Sequence, residues 1–336
     1  MLLEELCNAN SPVSFEGCVR DIIKKEIKDY VDDIKIDRMG NIIAHKNGKG
    51  KKVMVDAHMD EVGFIITSIN EDGTMKFASL GRINSKIIPS KAVYVGENKI
   101  PGVIGIKPIH LQSDDELKSS ASYDKCCIDI GCKSKEEAKK YVSLGDYAVF
   151  TTEFGKFGDG LVKGKAMDDR VGCAVLIELL KENYECDLYA VFNVQEEIGD
   201  RGAFVSAFQV QPEVGIALEG TVCADMPGVP EHLKATEIGK GPAISIMDES
   251  SIFDEELTES IINVAKMNDI PYQRREAMTG LNDAGAIVSS GSGAKVATVS
   301  VPCRYIHSSV SVASISDIEN AVKLLKKYLS SLKEVK

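Results

Sequence analysis

Tryptophan is absent from this chain of 336 residues, and phenylalanine and tyrosine bring the aromatic share to only 6%. So few rings leave little for a sugar-stacking platform. A carbohydrase, which paired carboxylates could in principle support, is therefore a minor reading. No apolar run approaches the roughly 18 residues needed to cross a bilayer, so no membrane span is expected. Positive charge is also in short supply. Forty Lys and Arg against 51 Asp and Glu give a net charge of −11, which argues against a sequence-independent grip on nucleic acid or anionic membrane. The start, MLLEELCNAN, lacks the basic region of a signal peptide.

Cysteine is present but not in a form that suggests staples. Nine thiols, an odd number, are scattered through a chain too long to need disulfides, so reduced cysteines and a cytoplasmic setting are expected. Cys126, Cys127 and Cys132 form a cluster without the histidine or second cysteine pair that would complete a zinc site. Strand packing is their expected role.

What is there reads as a soluble α/β protein. The chain is 44% apolar and 27% charged, close to the globular average. Residues 14–30 carry helical spacing with Ser14 as a cap candidate. IKIDRMGNIIAHKNG and KKVMVDAH follow as strands. From Ile69 to about Gly160, short β runs alternate with Gly, Asp and Pro turns, interrupted by one helix in SKEEAKKYVSLG. After Gly164 long apolar strands (DLYAVFNVQ, GIALEG, KVATVSVP) alternate with amphipathic helices. This pattern predicts an open, largely parallel central sheet covered by helices on both faces. The expected organisation is a split catalytic domain, residues 1–68 and 161–336, carrying an inserted β-barrel-like module at 69–160.

Five patches supply metal-ligand residue types: His58 with Asp60 in VMVDAHMDEVG, Asp168 in GKAMDDRVG, Glu196 and Glu197 in FNVQEEIG, Glu219 in GIALEG, and His307 in VPCRYIHSS. Nitrogen and oxygen donors without cysteine suit Zn²⁺, Co²⁺ or Mn²⁺. Each patch has a plainer explanation alone. His58 could be a core histidine, and the Asp168–Asp169 pair could cap a helix. Together they change the balance, because ligands bind at the carboxyl ends of strands in open α/β sheets and most of these residues follow strands. Buried carboxylates also need a partner or a metal. Asp60 is spaced to accept the second ring N–H of His58 and fix its tautomer. Of Glu196 and Glu197, one can bind metal and the other shuttle a proton. The pattern implies a two-metal hydrolase. His45, His110 and His232 lie in polar, turn-rich surroundings and are expected to be solvated.

These phrases, with GVIGIKPIH and IDIGCKSKEEAKKYVSLGD from the insert, resemble the metal-dependent aminopeptidases of the glutamyl-aminopeptidase type, known as tetrahedral aminopeptidases. The resemblance runs nearly end to end. It implies that His58 and Glu219 serve one metal, Glu197 and His307 the other, and that Asp168 bridges them. It makes Glu196 the general base and Asp60 the residue orienting His58. It also implies that the insert joins subunits into dimers and then a tetrahedral dodecamer. Three departures stand out. Glu219 replaces a more usual aspartate, HSSVSVAS after His307 lacks a proline and a glutamate common in relatives, and Asn282 in MTGLNDAGA replaces a threonine.

The sequence thus predicts an aminopeptidase acting on short peptides with two divalent cations. The runner-up is another di-metal amidohydrolase, a carboxypeptidase or deacylase. The insert lies between His58 and Asp168, whereas those relatives carry their extra domain later, and this favours the aminopeptidase.

Overall fold

The computed structural model describes residues 2–114, 121–276 and 279–332. Its largest sheet runs Asp33–Ile36, Ile42–Lys46, Asp187–Asn193, Lys52–His58, Val214–Val222, Lys295–Arg304, Ser311–Ser314, Leu161–Gly164 and Gly155–Phe157. The four central strands, from Asp187–Asn193 to Lys295–Arg304, are mutually parallel, and the flanking strands pair antiparallel. The parallel strands are the long apolar runs seen in the sequence. Helices cover both their faces, so they have no reason to alternate polar and apolar residues.

Helices Met167–Leu180 and Ile315–Ser331 pack one face together with Leu2–Asn8, Gly17–Ile27 and Glu255–Met267. Arg201–Val210 and Ala284–Val288 cover the other face, over Met54, Val191 and Ala217. The Gly17–Ile27 helix starts later than expected. Ser14 does not cap it, since its backbone lies in the left-handed region (φ +69°) and its N–H donates to Glu16 Oε1 at 2.7 Å. The amphipathic helix that the sequence pattern predicts in DIENAVKLLKKYLSSLKEV is present as Ile315–Ser331, and residues 333–335 of that phrase lie outside the described residues.

The insert is a closed six-stranded barrel in the order Gly63–Ile69, Met75–Leu80, Cys126–Asp129, Ile100–Ile106, Ala92–Val95, Tyr147–Phe150. It has its own core around Phe64, Phe77, Val93, Ile104 and Phe150. Its first strand begins before Ile69, and Gly155–Phe157 pairs with the large sheet instead. The Lys135–Ala138 helix is shorter than the sequence pattern implied, and Ala138 and Val142 pack into the barrel core. Cys126 packs inside the barrel and all nine cysteines are free. Among the described residues, no helix is long and apolar enough to cross a membrane.

Candidate metal centre

The predicted residues meet at the carboxyl ends of the central strands. His58 ends the Lys52–His58 strand, Glu196 and Glu197 follow Asp187–Asn193, Glu219 lies within Val214–Val222, and His307 follows Lys295–Arg304. Asp168 comes from the kinked first turn of the helix Met167–Leu180. Both Asp168 and Asp169 have non-helical backbone angles. The two acids divide the two readings of the pair. Asp169 is buried and accepts the N–H of Gly172 at 2.9 Å, as a helix cap does, while Asp168 faces the histidines.

Several donor distances are compact. His58 Nε2 lies 3.4 Å from Asp168 Oδ1, 3.7 Å from Glu219 Oε2 and 3.8 Å from Glu196 Oε2. His307 Nε2 lies 3.3 Å from Asp168 Oδ2 and 3.5 Å from Glu197 Oε2. Donor atoms of His58, Asp168 and Glu219 all fall within 4.8 Å of one another, and so do those of Asp168, Glu197 and His307. A third such set is His58, Glu196 and Glu197. Asp168 belongs to the first two sets.

Local backbone geometry brings these atoms together. Gly220 follows Glu219, and a Cβ there would come within 3.0 Å of Asp168 Cα, so glycine is what lets the two segments approach. Ala166, Gln195 and His307 each lie in the left-handed region, with φ of +56°, +58° and +55°. Non-glycine residues adopt it at a cost, and it concentrates where a chain must aim functional side chains.

Asp60 connects the segments. His58 Nδ1 lies 3.2 Å from the Asp60 carbonyl and 3.5 Å from Oδ1. The same carboxylate accepts the backbone N–H of Glu196 at 3.0 Å and of Glu197 at 3.2 Å.

The electrostatics call for a cation. Burial pushes the carboxyls of Glu196 and Glu219 well above the usual range and Glu197 to about 7. Burial also raises Asp168, but His307 and His58 outweigh it and hold that carboxyl below its ordinary value. His307 would be lowered by burial, yet Glu197 and Asp168 bring it up to about 9. Glu197 Oε1 and Glu219 Oε1 are buried with no hydrogen-bond partner. Orphaned carboxylate oxygens in a cluster with histidine nitrogens fit a divalent metal with N/O ligands, and Glu219 brings a donor atom into that cluster.

Sequence reasoning missed three groups. Asn193 Nδ2 donates to Asp56 Oδ2 and Asp283 Oδ2, both at 2.9 Å, making a buried acid–amide network beneath the rim. Asp56 shares a strand face with His58, two residues on, and that spacing was a readable signal. Lys165 and Glu61 form a buried ion pair at 2.6 Å that ties the Asp60 and Asp168 segments together. Arg82 reaches the cleft from the barrel. The departure Asn282 also lines the cleft, donating to Asp248 Oδ2 at 3.0 Å, while Met278 of that phrase lies outside the described residues. His45 corrects the expectation of a solvated histidine. It sits half-buried in a strand, bonds Asp187 at 2.7 Å and stacks on Tyr189 at 4.1 Å between centroids. His110 and His232 are exposed as expected.

An inserted barrel on a split α/β sheet domain, with an acid–histidine rim at the strand ends, is an architecture suited to metal-assisted hydrolysis. Residues 40–324 match the M42 glutamyl aminopeptidase family, and the chain belongs to it. A lysyl aminopeptidase of Pyrococcus furiosus is 33% identical over 323 residues, covering 94% of this chain and 92% of that one. A TET aminopeptidase from a marine-sediment Thaumarchaeota archaeon superposes with a TM-score of 0.96 at 34% identity, covering 99% of this chain and 96% of that one. A TET1 peptidase of Pyrococcus horikoshii, described as assembling into a tetrahedron or a large octahedral shell, superposes with a TM-score of 0.88 at 32% identity, covering 99% and 100%.

Proposed function

We propose that this aminopeptidase removes N-terminal residues from short peptides with two divalent cations, Zn²⁺ or Co²⁺ first and Mn²⁺ next. His58, Asp168 and Glu219 would hold one, and Asp168, Glu197 and His307 the other. The observation that carries this reading is the placement of Asp168, whose two oxygens face different histidines at 3.4 and 3.3 Å. A carboxylate so disposed is suited to bridge. Bound there, the cations would supply Lewis-acid polarisation of the scissile carbonyl and a lowered pKa for water.

The chain's own residues would do the rest. Glu196 takes a proton from the attacking water and delivers it to the leaving amine. Its side chain opens to the cleft at 12% exposure, whereas that of Glu197 is closed off at 3%. That difference supports Glu196 as the proton carrier and Glu197 as the ligand. Asp60 orients His58 and holds the backbone of the glutamate pair. Among the described lining residues no phenylalanine, tyrosine or tryptophan appears, which disfavours a sugar platform.

The barrel is proposed to join subunits into dimers and these into a dodecamer, the tetrahedral form named for the Pyrococcus horikoshii relative. A closed shell would admit only small or unfolded peptides, a useful limit for an exopeptidase in the cytoplasm. The test of the chemistry is a panel of aminoacyl chromogenic substrates with free and acylated amines, run with each metal added back. Cleavage restricted to free amines is expected. A preference for acylated substrates would replace this reading with that of a deacylase or carboxypeptidase.

A further inference from the structure

The cleft above the rim encloses about 410 Å³ and is lined by far more acid than base. Two arginines face it, Arg82 and Arg275, and they are differently placed. Arg275 is half-buried and commits its donors to the protein, Nε to Thr221 Oγ1 at 2.9 Å and Nη2 to the Thr279 carbonyl at 2.6 Å. Arg82 is exposed, and its guanidinium makes no hydrogen bond or ion pair among the described residues.

Arg82 is also the barrel's contribution to the described cleft lining. Gly81 sets its position. This residue turns the chain out of the Met75–Leu80 strand with φ +81°, and a Cβ on it would lie 3.1 Å from both Cβ and Oε2 of Glu197 and 2.9 Å from Val62 Cγ1. The Ser79 hydroxyl closes the corner by donating to the Gly81 carbonyl at 2.6 Å. Only glycine combines that backbone angle with that approach. The barrel is therefore seated directly against a candidate metal ligand, and the next side chain is an uncommitted guanidinium at the cleft's edge.

A peptide carboxylate entering this cleft meets Asp168, Glu196, Glu197, Asp200, Glu219 and Asp248. Without a cation to receive it, like charge would repel it. Guanidinium is the side chain best shaped for that partner, since its fork binds carboxylate through two parallel hydrogen bonds. We propose that Arg82 is a specificity-determining residue that binds a carboxylate of the peptide substrate. The proposal rests on the aminopeptidase reading. The carboxylate comes either from the C-terminus of a very short peptide or from the side chain of an acidic N-terminal residue.

The experiment uses the full-length, metal-loaded protein and the Arg82→Ala and Arg82→Lys variants. Substrates are trialanine, trialanine amide, alanine p-nitroanilide and glutamate p-nitroanilide. Arg82→Ala raises KM about tenfold or more for the carboxylate-bearing member of one pair. It leaves kcat and the KM of alanine p-nitroanilide unchanged, and Arg82→Lys recovers part of the loss. Selective loss of trialanine over its amide assigns the C-terminal carboxylate, and selective loss of glutamate p-nitroanilide assigns the side chain. Equal changes for charged and uncharged substrates, or none, overturn the proposal.

Calorimetric titration of trialanine, its amide and glutamate p-nitroanilide into the Glu196→Gln protein, with and without Arg82→Ala, gives the same comparison without turnover. If the unaltered enzyme cleaves no free-amine substrate, the aminopeptidase reading fails while this titration still decides Arg82. Carboxylate-dependent binding that is lost with Arg82→Ala supports the proposal, and binding indifferent to Arg82 overturns it.

Discussion

Asp60 Oδ1 accepts the backbone N–H of Glu196 at 3.0 Å, so the residue that faces His58 also holds the segment carrying the proposed base. One carboxylate thereby spans two strand ends. Replacing Asp60 with Ala frees the His58 ring and leaves the Glu196 and Glu197 N–H groups without their acceptor. A loss of about 10- to 100-fold in metal affinity is expected. Competition with a chromophoric chelator measures it, and unchanged affinity with unchanged kcat would remove Asp60 from the site.

Glu196→Gln keeps the shape of the side chain and removes its ability to take a proton. Turnover should fall by about a hundred- to ten-thousand-fold. Metal content, read by elemental analysis, should stay at the unaltered level. Near-normal kcat would sink the role of Glu196, and loss of metal would move it into the ligand set.

Chelation should destabilise the protein as well as silence it. Without cations the acids around His58 and His307 are buried against one another, with Glu197 Oε1 and Glu219 Oε1 unpartnered. A ligand that binds only the folded state stabilises it by about 2.7 kcal/mol at a hundred times its Kd. Scanning calorimetry should therefore show Tm rising with the logarithm of added Zn²⁺. His307→Ala, whose side chain is at the cleft and about one-third exposed, should flatten that dependence without unfolding the chain. A Tm indifferent to metal would argue against the centre.

The Lys165–Glu61 pair is buried on both sides, at 4% and 3% exposure. Lys165 Nζ also donates to the Ala9 carbonyl at 3.1 Å, and Glu61 accepts the Ser11 N–H at 3.0 Å, which anchors the N-terminal segment under the site. Lys165→Met strands a buried carboxylate, and breaking such a pair costs about 3–5 kcal/mol. Arg170, 3.6 Å from Glu61, keeps the loss toward the lower figure. Lys165→Met combined with Glu61→Gln should recover much of the stability in denaturant unfolding. If the double variant is no more stable than Lys165→Met, the pair is not what holds the segment.

Assembly is decided by mass. Light scattering at micromolar concentration should report a multiple of the 36.4 kDa chain, twelvefold for the proposed shell. A mass near one chain refutes it.

The composition and the order of patches already determined the fold class and marked the residues that meet at the rim. Central strands such as LYAVF and GIAL are apolar on both faces because helices cover both, so they are legible without coordinates. The H-x-D, EE and H residues stand at strand ends, where open α/β sheets bind ligands, and Glu219 interrupts an apolar run that cannot bury a charge unaided. Division of labour was a different matter. That Asp169 caps a helix while Asp168 turns to the histidines depends on backbone angles at two adjacent residues, which residue type does not specify. The Asp56–Asn193–Asp283 network and the Lys165–Glu61 pair join residues 90 to 137 positions apart. Arg82 carries no signal of its own in the sequence, and only the Gly81 corner packed against Glu197 brings it to the cleft. Periodicity reports which face of its own element a residue occupies. Which distant residue stands opposite is decided only when the strands take their order in the sheet.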